Sequence, residues 1–397
     1  MHFKKLALAS GTLLFHTALI AQEEAGSIDL GGFELIPALD ITHASDDNVT
    51  RSSTGEIDSW KRIVSPEVVL LNNFGGNTLQ FGYRLERGDY FSSSQDNYTD
   101  HFVSALYDYE INSRHRAKVT GEYEDGHDDR GTSFSIGTGS VLETPDEYKS
   151  LTGDLVYSYG ALTADARLDF LLGYEDLDYD RTEEAYLARD RDFVTFGGIF
   201  YYQVAPATDL VVDLRQTEVS YVYIIEGGDT LDSTNSSILV GLQWESTAAT
   251  SGFAKVGYQK KDFDSALREE FSGFDWELGV TWQPVERSTI EFSTRSDTNE
   301  TNGEGNFIQR RSYGAVWNHQ WLDRVSSRAS FAFIDDVYEG STNNREDDIT
   351  QLRLAVDYQF KRWMKIEVGY QYDERESTVE SIDYDRNLFS IGVRVTL

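Results

Sequence analysis

A transmembrane, antiparallel, up-and-down β-barrel of the outer-membrane type, with about 18 strands (16 to 18), is the fold this sequence predicts. Three observations predict it. Segments of alternating apolar and polar residues recur from Phe33 to the end of the sequence, and short turns and long acidic stretches take turns between them. The last segment, Phe389 to Leu397, stops flush on an apolar residue. Residues two apart share a strand face, so such segments build a wall with one apolar and one polar side. A final strand without a polar tail is placed to close that wall against the first strand and remove both sheet edges.

The first element is a secretory signal over residues 1–21. Lys4 and Lys5 form its basic start, Leu6 to Ala21 its apolar stretch, and cleavage is expected after Ala21. Residues 22–32 are then a short periplasmic segment, and 33–397 the barrel. The chain has 397 residues, no cysteine and a formal net charge of −33. Those values exclude a disulfide framework and thiolate metal sites, and they make nucleic acid an unsuitable partner. Beyond the N-terminus no apolar run approaches the ~20 residues of a membrane helix, so any span is made of strands.

From Phe33 onward one plan repeats. An alternating segment leads into an acidic, Ser/Asn/Gly-rich stretch, a second alternating segment follows, and then a turn of a few residues. The short turns centre near Gly75, Ser113, Gly160, Pro206, Ala249, Val285, Leu322 and Arg362. Such regular spacing marks a hairpin array rather than separate domains. In 351–361, Leu352, Leu354, Val356, Tyr358 and Phe360 share the apolar face, with Arg353 and Asp357 on the other. A soluble β-sandwich has no reason to keep all its short connections at one end, whereas a membrane barrel does.

The aromatic residues sort with the turns. Trp244, Trp282, Trp321 and Trp363 lie beside short turns, while Tyr90, Tyr174, Tyr221, Tyr338 and Tyr372 lie where strands run into long stretches. Two aromatic belts with an aliphatic band between them suit the two faces of a membrane. The short turns, expected in the periplasm, carry bases such as Arg114, Arg287, Arg324 and Arg362. The long loops carry acid, as in 125–129, 176–184 and 335–348. Acidic outer loops could bind divalent cations or lipopolysaccharide cores, but a solvated, self-repelling surface is the simpler account of them.

The polar face supplies the candidate lumen. Arg84 and Glu86, Lys118 and Glu122, Arg167 and Asp169, Asp213 and Arg215, Glu277, Glu291 and Arg295, Arg353 and Asp357, Lys365 and Glu367, and Arg394 all fall on it. Ionised side chains are inexpensive in a wet lumen and costly against lipid. Two readings stay open: a polar conduit that orders permeating solutes, or charges that pair across strands and fill the bore.

No constellation points to catalysis. His127 stands among carboxylates in Glu124-Asp-Gly-His-Asp-Asp-Arg130, but no second histidine or nucleophile motif accompanies it. Asp176-x-Asp178-x-Asp180 opens like a calcium loop, yet Arg181 and Leu187 occupy the positions of its glycine and closing glutamate. We therefore expect no enzyme, no cofactor and no metal.

Pro37 early in the first strand, followed by Asp46, Asp47 and Asn48 where that strand runs out, resembles the β-barrel porin family, type 2. The ending, with Gly392, Val395 and Leu397, resembles the insertion signal read by the barrel assembly machinery, with Leu in place of the commoner Phe. The resemblance implies an outer-membrane protein of a Gram-negative envelope, surrounded by lipid and lipopolysaccharide. It also implies a channel component for exopolysaccharide or capsule export, working with periplasmic polysaccharide-export proteins. The alternatives are a general or substrate-selective porin for small solutes, and a structural barrel that binds glycan, cation or a partner through its acidic loops. On residues alone, Pro37 suits an edge-like strand start and the Asp-Asp-Asn run a turn.

Overall fold

The computed structural model describes residues 26–245 and 249–397. The expected signal and its cleavage point lie outside the described residues. A two-residue strand β1 (Ile28–Asp29) pairs with the foot of β2 (Glu34–Asp46). The wall continues through β3 (Ser59–Phe74), β4 (Asn77–Tyr90), β5 (Tyr98–Asn112), β6 (His115–Asp128), β7 (Asp146–Tyr159) and β8 (Ala166–Tyr179). Next come β9 (Arg191–Ala205), β10 (Thr208–Tyr221), β11 (Ser233–Glu245), β12 (Thr250–Phe263) and β13 (Phe271–Val285). The ring is completed by β14 (Ser288–Glu300), β15 (Phe307–Leu322), β16 (Val325–Glu339), β17 (Glu346–Lys361), β18 (Met364–Ser377) and β19 (Tyr384–Thr396).

Each strand from β2 pairs antiparallel with the next, and β19 pairs with β2, so 18 strands form a closed barrel. The seam runs from Leu388 opposite Asp46 to Thr396 opposite Ala38, with the last strand beside the first as the sequence predicts. Pro37 sits one position below the start of that ladder, where its missing N–H interrupts no bond to β19. Seven of the eight turns fall where expected, the one near Ala249 lies mostly outside the described residues, and both ends of the barrel sheet lie at the turn end. The backbone N–H of Gly26 donates to the carbonyl of Leu397 at 2.6 Å, tying the two ends together.

Alternation decides the faces. Phe389 and Ile391 are 60% and 53% exposed on the outside, while Arg394 between Asp40 and Glu67 points inward. The tryptophans at 282, 321 and 363 are exposed at the turn end, where Trp317 joins them, its Nε1 bonded to Ser288. Tyr174 stands outward at the other end and donates to Asp192 at 2.6 Å.

Two expectations are corrected. Tyr90, Tyr221 and Tyr338 do not belong to the outer belt. They are buried on the inward face, bonded to Lys61, Glu300 and Asp347 respectively. At the top of each strand buried charges need a partner, and a tyrosine hydroxyl supplies one while its ring packs. The acidic runs 125–129, 176–184 and 335–348 are not wholly loops either, since strands reach Asp128, Tyr179 and Glu339, and β17 begins at Glu346. Above the apolar band both faces turn polar, so the pattern that marks a strand in sequence ends before the hydrogen-bonded ladder does.

Candidate functional site: the lumen and its mouth

The inward charges lie flat against the wall. Arg84 bonds Glu86 two residues along its own strand at 2.6 Å, and Arg215 forks onto Asp213 at 3.0 and 2.8 Å. Lys255 joins Asp213 (2.7 Å) to Glu277, Arg167 pairs with Asp209, and Arg295 with Asp297 at 2.6 Å. Lys365 meets Asp357 at 3.1 Å, and Arg310 forks onto Asp336 at 2.7 and 2.5 Å. Lys118, Glu122, Asp169, Glu291, Arg353 and Glu367 occupy inward strand positions as well, by the same alternation. These ion pairs join groups no more than two strands apart. Such pairs satisfy buried charge along the wall.

The mouth is built differently. Loop 3 (129–145), the longest connection, folds over the opening. Its anchor is Arg130, 1% exposed, whose guanidinium forks onto Asp96 in loop 2 (91–97) at 2.7 and 2.7 Å. The same group donates to Ser93 (3.2 Å) and to the carbonyl of Leu142 (2.9 Å). Gly131 lies so close to loop 1 (47–58) that a Cβ there would sit 2.1 Å from the Thr50 carbonyl oxygen, and its φ of +84° also favours glycine. Farther along, Gly137 packs on Ile382 of loop 9 (378–383), and Phe134 lies 3.5 Å from where a Gly303 side chain would begin in loop 7 (301–306). Loop 7 is eight strands round the ring from loop 3. The longest loop therefore spans the mouth, a placement that alternation in sequence cannot reveal.

His127 serves this anchorage. Its Nδ1 lies 3.0 Å from both Asp100 oxygens and its Nε2 3.3 Å from Asp129, with the Tyr98 ring packed at a tilt, centroids 4.1 Å apart. Asp129 also accepts from Arg51 of loop 1 at 2.8 Å. Burial alone pushes the Asp129 carboxyl up, but the Arg51 charge and the His127 hydrogen bond outweigh it and hold the group well below the ordinary carboxylate range. The histidine is thus held between structural carboxylates, as a post for loop 3.

The Asp46, Asp47 and Asn48 run clasps the seam. Asp46, fully buried, receives Arg386 of β19 at 2.8 and 2.5 Å and Lys61 at 3.4 Å. Asp47 accepts the backbone N–H of Asn387 at 2.6 Å and its side-chain amide at 2.9 Å. Asn48 donates to the carbonyls of Asp385 and Ser52, both at 3.0 Å. The last residue of β2 and the first two of loop 1 thereby lock onto β19, and Arg386 is the partner that local sequence could not supply.

The family described as Putative beta-barrel porin 2 matches residues 23–397. The chain belongs to this family. As a porin-family barrel it resides in the outer membrane. No curated protein matches the sequence. Among solved structures, OpdK of Pseudomonas aeruginosa with vanillate is similar at 10% identity and a TM-score of 0.51, over 91% of this chain and 99% of that one. OpdL of the same organism gives 11% and 0.48, over 93% and 100%. The FrpB iron transporter of Neisseria meningitidis gives 10% and 0.46, over 86% and 62%. At these identities the OpdK likeness establishes the barrel fold and nothing finer, and the two lower scores add nothing to it. The expectation of polysaccharide export gains no support from these comparisons, and the porin reading fits them better.

Proposed function

We propose that this barrel is a selective diffusion channel for small polar solutes, a transporter and not an enzyme. The observation that carries the reading is loop 3 anchored across the mouth above a lumen of wall-bound charges. Wall pairs such as Arg215–Asp213–Lys255 present ordered charge of both signs to a passing solute without occupying the axis. A strap over the opening divides it, which admits compact molecules and obstructs a polymer threading from the periplasm.

Liposome swelling with the purified protein tests the reading. Monosaccharides and amino acids should enter, with rates falling steeply for oligosaccharides of increasing length. Sealed liposomes with every solute would refute a channel, and equal passage of long glucans would return the polymer-export alternative.

A further inference from the structure

The outer wall over β2–β5 carries a feature that permeation does not use. Arg62 and Arg87 point outward, 51% and 43% exposed at their side chains, and flank one carboxylate, Asp89. Arg62 bonds Asp89 at 3.0 Å; Arg87 bonds it at 3.0 and 2.9 Å and donates to Thr99 at 2.9 Å. The arrangement fixes two guanidiniums side by side and leaves an excess positive charge. The other outward ion-pair groups at the loop end are neutral or acidic: Arg311 with Asp335, Lys149 with Asp180, and Lys260 with Asp262 and Glu270. A paired, pre-oriented arginine fork in a chain of net charge −33 suits a phosphate.

What stands above and below that fork narrows the ligand. One step toward the loops, Trp60 is 53% and Phe91 57% exposed, and His43 stacks on Trp60 at 5.4 Å. A flat aromatic shelf outside the apolar band suits the apolar faces of sugar rings. On the same wall below, an apolar groove of about 430 Å³ runs past Phe81, Val119, Leu79 and Tyr107. Its floor is low because Ala105 and Gly121, facing each other across β5 and β6, carry almost no side chain. Phe81 is six positions below Arg87 on β4. At about 3.3 Å per residue and a tilt near 40°, that is about 15 Å of depth, half of a ~30 Å hydrocarbon core. Sugar shelf and phosphate fork therefore sit together at the loop-side rim of the apolar band, and the groove begins near mid-depth and runs on toward the turns.

We propose that this face binds a phosphorylated glycolipid of the outer leaflet, of the lipid A type. Arg62 and Arg87 hold a sugar phosphate, Trp60 backs the sugar, and the acyl chains run down the exposed apolar wall below the fork toward the groove. The inference is independent of what the lumen conducts.

Refolded, lipopolysaccharide-free protein in mild detergent, titrated with purified bisphosphorylated lipid A and read by native mass spectrometry, tests it. Saturable one-to-one binding is expected, weakened about tenfold or more by Arg62→Gln with Arg87→Gln. Arg62→Lys with Arg87→Lys should recover much of it, and Arg311→Gln on the far wall should leave it unchanged. Enzymatically dephosphorylated lipid A should bind the native protein no better than intact lipid A binds the double Gln variant. Phosphatidylglycerol, a phosphate without sugar, should compete poorly. Unaltered binding by a double Gln variant that keeps folded, heat-modifiable gel mobility would overturn the proposal. So would equal binding of dephosphorylated lipid, equal competition by phosphatidylglycerol, or equal loss in Arg311→Gln.

Discussion

The lumen wall and the mouth use the same side chains in opposite ways. In the wall, an arginine or lysine pairs with a carboxylate on its own strand or within two strands, as Arg215 and Lys255 do around Asp213. At the mouth, Arg130 pins loop 3 to loop 2, and Phe134 farther along that loop reaches Gly303 eight strands away. Short-range pairs stiffen a ring without narrowing it, whereas one long-range strap closes the ring's opening and leaves the ring unchanged. Breaking a wall pair should therefore alter selectivity locally, and breaking the strap's anchor should alter access.

The largest effect is expected at Arg130→Ala. Asp96 is 3% exposed and would keep a buried, unpaired charge, a cost of about 3–5 kcal/mol. Cleavage by a soluble protease within 129–145 should rise at least about a hundredfold while the barrel stays intact. Asp46→Ala comes next. It strands Arg386 and Lys61 at the seam, although Asp373 at 3.3 Å retains Arg386, so about 2–4 kcal/mol of stability should go. Urea unfolding, followed by heat-modifiable mobility, measures that loss, and loop 3 cleavage should change only as the whole barrel loosens.

Lys255→Met should be milder. Asp213 keeps Arg215, so the cost is about 1–2 kcal/mol. The freed carboxylates should move the reversal potential in a salt gradient toward cations. The smallest effect is that of pH on Asp129. Its depressed folded pKa makes its contribution complete above the ordinary carboxylate value near 4, and that contribution is lost as pH falls through the depressed one. Channel noise should stay flat from about pH 8 to about pH 5 and rise only well below about pH 4.

The same contrast explains what could be read in advance. Turn positions, the inward and outward sets and the β19–β2 seam follow from a period of two and the chemistry of turns, both local properties. Asp46 was visible as part of a motif but not its partner, because Arg386 lies 340 residues away. Sequence patterning makes the strand tops look like loops and puts Tyr90, Tyr221 and Tyr338 in the lipid belt, because hydrophobic alternation fades where water wets both faces. Arg130 gave one weak signal, a lone base followed by glycine in an acidic run. What it grips depends on which loops closure of the ring brings together.

The strap itself can be tested in a chain that has no cysteine of its own. A Cβ at Gly137 would lie 3.7 Å from the Cβ of Ile382, within the span a disulfide bridges. Gly137→Cys with Ile382→Cys should oxidise in the folded protein to a bond joining loop 3 to loop 9, seen as a reducible gel shift. Two free thiols that stay separately labelled under oxidising conditions would mean that loop 3 does not span the mouth.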